Sequence, residues 1–460
     1  MTRSDMDAIY RYVDSHVDDF IDDLKPLLSQ PSISTQGIGV LETTILLGGI
    51  MEDLGIKTRL IETPGAPVVY GEIQGAQRTP TLLVYGHYDV QPPEPLDAWA
   101  SPPFQPTIRN GRIYARGAGD NKGQLFAQLM GVRAHMEVNG RVPINVKFLF
   151  EGEEECGSPN LEQFVSKNKD LLKSDLVYTS DGPLHESGKP IVVLGVRGIL
   201  YLELTTKGPN RDLHSGNWGG PIPNPAWRIS DLLATMRNPS TGKVLIEGFY
   251  DNIKPPTNEE TNAARQIPLD RRKVAQDLGL EEIELPQAAE FYERLMFQPT
   301  LNICGFSSGY TDKGMKTILP STATVKMDIR LVANQNPDEI YEKFVSHVKK
   351  HSQKVELNRL GQMRPSRTPL DNKYTKPILE SLRLATGESP IVFPSLGASL
   401  PDYVFTGILG VPSIIVPYAN FDESNHAPNE NLTIENFVKG IKCTATVLDS
   451  LALTSQGQRA

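Results

Sequence analysis

The stretch TLLVYGHYDVQ, residues 81–91, starts as an unbroken apolar run and stops at a histidine. A short apolar run bounded by polar residues, glycine or proline reads as a strand buried on both faces, the kind that parallel sheets use. Two more runs share this form, INVKFLF at 144–150 and LVYTS at 176–180, and the longer segments between them, such as Lys122–Val138, are patterned for helices. Strand and helix in alternation predict an α/β layer, a mainly parallel sheet with helices on both faces. Each run is followed by acidic or histidine residues, and the carboxyl ends of the strands are where an open α/β sheet builds its sites.

Upstream, Ile9, Val13, Val17, Phe20, Leu24 and Leu27 recur at three- and four-residue intervals, which predicts one amphipathic helix over residues 5–29, closing near Pro31. Downstream the pattern changes after Gly195. RGILYLELTTKG, PAWRISDLLATM, TATVKMDIRLV, PDEIYEKFVSHVKK and KVELNRL alternate strand with helix, the order of a small α+β sandwich of the ferredoxin-like kind, expected over 197–369. Within it, residues 250–290 are rich in proline, asparagine and charge and read as a surface excursion. From Thr375 the α/β pattern of the first 195 residues returns, with KPILESLRLATG as a helix and GVPSIIVPY as a buried strand. The first domain is therefore expected at 1–196 and 370–460, with the second inserted into it.

Composition narrows the function. The 460 residues are 39% hydrophobic and 22% charged with a net charge of −9, so there is no basic field to draw in nucleic acid or an anionic membrane. No apolar stretch reaches the ~18 residues of a spanning helix, and the first twenty residues carry acids where a signal peptide needs an apolar core. The expected location is cytoplasmic. Cys156, Cys304 and Cys443 are few and lack metal-finger spacing, which fits packing roles in a reducing compartment.

YARGAGDNKGQ, residues 114–124, has the look of a phosphate cradle. Its Gly117, Gly119 and Gly123 do not have the dinucleotide spacing, and its lysine is not followed by Ser or Thr as in a P-loop. Asp120 projects where a pyrophosphate would sit and would repel it, whereas a carboxylate there suits a cation. Other loops supply more donors: His87 and Asp89 in GHYDVQ, Glu153, Glu154 and Glu155 in EGEEECGS, Asp181 in TSDGP and His426 in ESNHAPNE. Two histidines with several carboxylates and no cysteine form a donor set for zinc or manganese in an open catalytic site. A carboxylate can bridge two metals about 3.5–4 Å apart, and Asp120 is the natural bridge. Each metal then needs one histidine and one further carboxylate.

The ordered set GHYDVQP, WASPPFQPTIRNGRIYARGAGDNKGQ, EGEEECGS, SDGP, DLHSG, DIRLV and NHAPNE spans most of the chain. It resembles the co-catalytic zinc exopeptidases and deacylases that include carnosine dipeptidases, aminoacylase, acetylornithine deacetylase and succinyl-diaminopimelate desuccinylase. The resemblance implies two divalent cations per subunit, zinc first, with manganese or cobalt as alternatives. It implies His87, Asp120 and Asp181 around one cation and Asp120, Glu155 and His426 around the other, with Asp89 orienting His87. Alignment on Gly157 and Ser158 makes Glu154 the general base acting on a metal-bridged water and Glu155 the ligand, leaving Glu153 as the extra acid. The inserted domain would serve as lid and dimerisation module of a homodimer, with its His214 donating to the oxyanion. Arg330 matches the position that grips a substrate's C-terminal carboxylate, and Gly397 and Ser399 in LGASLPD match a pocket-lining segment.

An aspartate at 181 matches the dipeptidase branch, since deacylases and carboxypeptidases of the family usually carry glutamate there. The implied function is hydrolysis of dipeptides or short peptides with a free C-terminal carboxylate. The alternatives are a deacylase of N-acyl amino acids and, from another class, a non-catalytic binding or assembly module.

Overall fold

The computed structural model describes residues 3–76 and 79–454. The chain divides into two compact units. One comprises the chain up to Gly195, Arg367–Pro394 and the chain from Val404 on; the other comprises Val196–Ser366 and Ser395–Tyr403.

In the first unit the described strands form an eight-stranded sheet in the order Lys57–Ile61, Val68–Ile73, Asn145–Glu151, Thr81–His87, Leu176–Thr179, Ser413–Ile415, Ile191–Val193, Ile391–Phe393. The four at its centre, Asn145–Glu151 through Ser413–Ile415, run parallel. Alternate residues point to opposite faces, as strand geometry requires. Leu82 and Val84 join the core under the helices Lys122–Asn139 and Ile434–Thr454. Tyr85 faces the other way, where its ring meets Phe405 at 4.9 Å. Helix Lys122–Asn139 is buried along most of its length, and it lies close to Ile434–Thr454 at Gly131. A Cβ there would meet the Thr444 Cβ at 2.6 Å, so only glycine fits.

The single helix expected over 5–29 is two, Arg3–Ser15 and Val17–Ser29. The backbone leaves helical geometry at His16 (φ −121°, ψ 23°), whose ring stacks on Tyr12 and bonds through Nδ1 to the Tyr12 carbonyl at 2.8 Å. The apolar stripe continues across the break, with Ile9, Val13, Phe20, Leu24 and Leu27 all buried, which is why periodicity alone does not reveal it.

In the second unit, strands Thr300–Ser308, Thr322–Leu331, Gly198–Lys207 and Val355–Met363 form an antiparallel sheet in that order. With helices Pro225–Met236 and Pro337–His351 this gives the ferredoxin-like βαββαβ arrangement. Leu200, Leu202, Leu204, Val325, Met327 and Ile329 meet Ile229, Leu232, Ile340 and Phe344 in its core. Both helices start the same way, an asparagine N-cap followed by proline: Asn224 accepts from Ala226 N and Asn336 from Asp338 N, both at 2.9 Å. Thr300–Ser308 is an edge strand whose residues are mostly exposed, with a bulge between Ile303 and Gly305, so it lacks the alternation that marks a strand in sequence. The 250–290 excursion folds into short helices, Asn258–Arg265, Arg271–Leu278 and the start of Ala288–Phe297. Among the described residues no helix is long and apolar enough to cross a membrane.

Candidate metal centre

The parallel register brings the strand ends of the first unit level with one another. His87 pairs with Glu151, and Tyr85 with Thr179, so the loops holding His87 and Asp89, Glu153–Glu155 and Asp181 leave the sheet side by side. Asp120 arrives differently. It follows strand Arg112–Tyr114, which belongs to a separate three-stranded sheet with Thr107–Arg109 and Asn431–Thr433, and it precedes helix Lys122–Asn139. That small sheet also carries the C-terminal segment with His426 to the same place.

Two sets of donor atoms gather there. His87, Asp120 and Asp181 each place a ligand atom within 4.8 Å of the others, and so do Asp120, Glu155 and His426, with Asp120 common to both. His87 Nε2 lies 3.1 Å from Asp120 Oδ1 and 3.8 Å from Asp181 Oδ2. Among the described residues this buried nitrogen has no hydrogen-bond partner. On the other side, His426 Nε2 is 3.1 Å from both Asp120 Oδ2 and Glu155 Oε2. Three carboxylates and two imidazoles in this arrangement fit a pair of divalent cations bridged by Asp120.

Charge explains the titration pattern. Burial opposes a charged Asp120, yet His426 and His87 hold its carboxyl below the usual range. Asp181 is pushed up to about 7, by burial first and the neighbouring Asp120 second. His426 is pulled up to about 10 by Asp120 and Glu155. Too much negative charge shares this space, which favours a proton on His426 and opposes a charged Asp181.

The Glu153–Glu155 turn assigns its three acids distinct places. Glu153 accepts from Asn160 Nδ2 at 2.9 and 3.0 Å. Glu155 Oε2 accepts from Gln91 Nε2 at 2.9 Å and faces His426. The Glu154 carboxylate has no hydrogen-bond partner among the described residues and is raised well above the usual range by loss of water; His87 opposes this and Asp181, Asp120 and Glu155 add to it. Asp89, fully buried, is placed to orient both groups. Its Oδ1 is 3.3 Å from His87 Nδ1, and its two oxygens accept from the backbone N–H groups of Glu154 and Glu155 at 3.2 and 3.0 Å.

Several residues around the centre carry no signal that composition or spacing singles out. Asn121 Nδ2 donates to Ser180 O at 2.5 Å. Gln124 Nε2 donates to Gly119 O at 2.8 Å and Gly182 O at 3.2 Å, while its Oε1 accepts from Tyr418 N at 2.6 Å. The buried Lys122 ammonium donates to Leu27 O and Gln30 O at 3.0 and 2.6 Å, and burial lowers it to about 7. The amides that resemble a phosphate cradle are already filled: Glu430 accepts from Gly117, Gly119 and Asp120 N–H groups.

The remaining candidates lie in the second unit. Arg330 Nη1 donates to Ser399 Oγ and its Nε to Asp328 Oδ2, both at 2.9 Å. Gly397 presents its carbonyl to Arg197 Nε at 2.8 Å, and the Arg197 amide faces the carbonyls of Leu396 and Ala398 at 3.2 and 3.1 Å. Residues 395–403 thus pack with the second unit, although their sequence position lies in the 370–460 segment. His214 is exposed on the short pair Leu213–His214 and Ile318–Leu319. Its Nδ1 accepts from Gly216 N at 3.0 Å, and its Nε2 lies 3.4 Å from Thr317 Oγ1.

Comparison with known proteins places this architecture among peptidases. Residues 83–450 match Peptidase family M20/M25/M40. The chain is 27% identical to human Beta-Ala-His dipeptidase, with 97% of this chain and 93% of that one covered. It is 29% identical to the Cys-Gly metallodipeptidase dug1 of Schizosaccharomyces pombe, covering 98% and 99%. Among solved structures, the M20 family metallo-carboxypeptidase Sso-CP2 of Sulfolobus solfataricus superposes with a TM-score of 0.89 at 38% identity, covering 94% and 99%.

Proposed function

We propose, from the premise that this chain belongs to Peptidase family M20/M25/M40, that it hydrolyses dipeptides with a free C-terminal carboxylate using two divalent cations. The observation that carries this reading is the shared Asp120 between two donor sets, each completed by one histidine and one carboxylate. His87, Asp120 and Asp181 would hold one cation and Asp120, Glu155 and His426 the other, zinc or manganese by donor chemistry. Bound there, the cations supply Lewis acidity toward the scissile carbonyl and make water a competent nucleophile near neutral pH.

The chain's own groups do the rest. Glu154, free of hydrogen-bond partners among the described residues and raised in pKa, accepts the proton of the attacking water and returns it to the departing amine. Asp89 holds the His87 ring and the Glu154–Glu155 amides in register. Arg330, with Ser399 at its tip, takes the substrate carboxylate, and His214 donates to the oxyanion. The Arg330 role predicts that Arg330→Met raises KM for a dipeptide roughly 10- to 100-fold, the loss of one charge-assisted hydrogen bond, with a smaller change in kcat. An unchanged KM in steady-state assays would remove Arg330 from the substrate site.

A homodimer belongs to the same reading, supported by the exposed edge strand Thr300–Ser308 with Ile303 and Phe306 half out in solvent. A cytoplasmic location is supported by three cysteines that are all free.

The 38% identity to a protein described as a metallo-carboxypeptidase favours a second reading, release of a C-terminal residue from blocked or longer peptides. A panel separates them: dipeptides, their N-acetyl amino acid counterparts and N-blocked dipeptides, offered to metal-free protein refilled with zinc or manganese. Cleavage confined to unmodified dipeptides is expected. Turnover of N-blocked dipeptides establishes the carboxypeptidase, and preference for N-acetyl amino acids establishes a deacylase.

A further inference from the structure

Glu430 is fully buried, and its carboxylate closes the turn that carries Asp120. Oε1 accepts from Gly117 N at 3.0 Å, Gly119 N at 3.0 Å and Asp120 N at 2.9 Å, while Oε2 lies 3.1 Å from Gly117 N and 2.6 Å from Arg116 Nη1. Gly117 reaches the φ of +88° that lets these amides converge. Asp120 is therefore held through its own backbone N–H while its side chain faces His87 and His426. Arg116 is in turn fixed by the Pro92 carbonyl at 3.2 Å and lies over the Trp99 ring. A buried carboxylate spread over three amides and a guanidinium leaves this turn a single arrangement.

We propose that Glu430 is a positioning residue for both cation sites at once, acting through the bridging Asp120 without touching either cation. The inference rests on the two-cation reading of this centre. Because Asp120 is common to both donor sets, loosening it weakens both sites together, by the 10- to 100-fold typical of residues that orient metal ligands. Loss of a ligand confined to one set, as in Asp181→Asn, weakens one site only.

The test is a titration of metal-free protein with Co²⁺, read by visible absorption and bound-metal stoichiometry, with circular dichroism and thermal melting of the metal-free form alongside. Glu430→Gln is expected to keep the wild-type dichroism and to raise both dissociation constants 10- to 100-fold, by a similar factor; Glu430→Asp, which restores the charge on a shorter arm, is expected to fall between. Wild-type affinity at both sites, weakening at one site alone, or a lowered melting temperature with affinity unchanged would each overturn the proposal, the last by showing a purely structural role. Should Glu430→Gln fail to fold, Arg116→Lys keeps the carboxylate but loosens its grip and must weaken both sites. Failure to do so is equally decisive. Since the readout is cation binding, it stands whether or not the dipeptide panel shows cleavage.

Discussion

Glu154→Gln is expected to lower kcat by roughly 10²- to 10⁴-fold, the usual worth of a positioned general base, while two cations remain bound. The side chains have the same shape, so the change removes only the capacity to take a proton. Neither neighbour can replace it, because Glu153 is held by Asn160 and Glu155 by Gln91 and His426. Glu154 alone of the three has no side-chain hydrogen bond among the described residues, so its substitution leaves the turn intact. Steady-state kinetics on a dipeptide, with metal content measured on the same sample, checks this. Near wild-type turnover in the fully loaded variant would move the base elsewhere.

The second large effect is expected at Asp120. Asp120→Asn removes the one negative charge shared by both donor sets, and an amide oxygen is a poor bridge between two dications. Metal content after dialysis is expected to drop from two per subunit to below one. A ligand that binds only the folded form stabilises it by about 2.7 kcal/mol at a hundred times its Kd, so added zinc or manganese raises the wild-type Tm but leaves that of Asp120→Asn nearly unmoved. Asp181→Asn serves as the contrast, with one site kept. A variant at 120 that still binds two cations with wild-type affinity would sink the bridged arrangement.

The sheet was legible because its central strands are covered on both faces and so appear as plain apolar runs; Thr81–His87 is buried at every position but its first. The clustering of His87, Asp120, Asp181, Glu155 and His426 was legible because strand ends in such a sheet converge, and because the ordered motifs resemble a family. What escaped depends on three-dimensional partners. The break at His16 leaves the hydrophobic stripe intact. The edge strand Thr300–Ser308 has one neighbour and little burial, hence no pattern to detect. Glu430 ends the NHAPNE motif, where nothing local gives it a role, since the amides it caps lie 310 residues away at Asp120. Likewise, nothing in LGASLPD says that the Gly397 carbonyl is held by Arg197, far upstream in the chain.

The C-terminal origin of His426 and Glu430 has a consequence for biosynthesis. Chains are made from the N-terminus at roughly 5–20 residues per second, and His87, Asp120, Glu155 and Asp181 all leave the ribosome long before the segment that completes their centre. Of the centre's own groups, a nascent chain at that stage has one imidazole, that of His87, its acids, and an Asp120 turn whose amides have no counter-carboxylate. It holds the set His87, Asp120 and Asp181 but lacks the histidine that completes Asp120, Glu155 and His426. The proposed two-cation centre is thereby incomplete until residues 426–430 have been made and folded back onto the Asp120 turn.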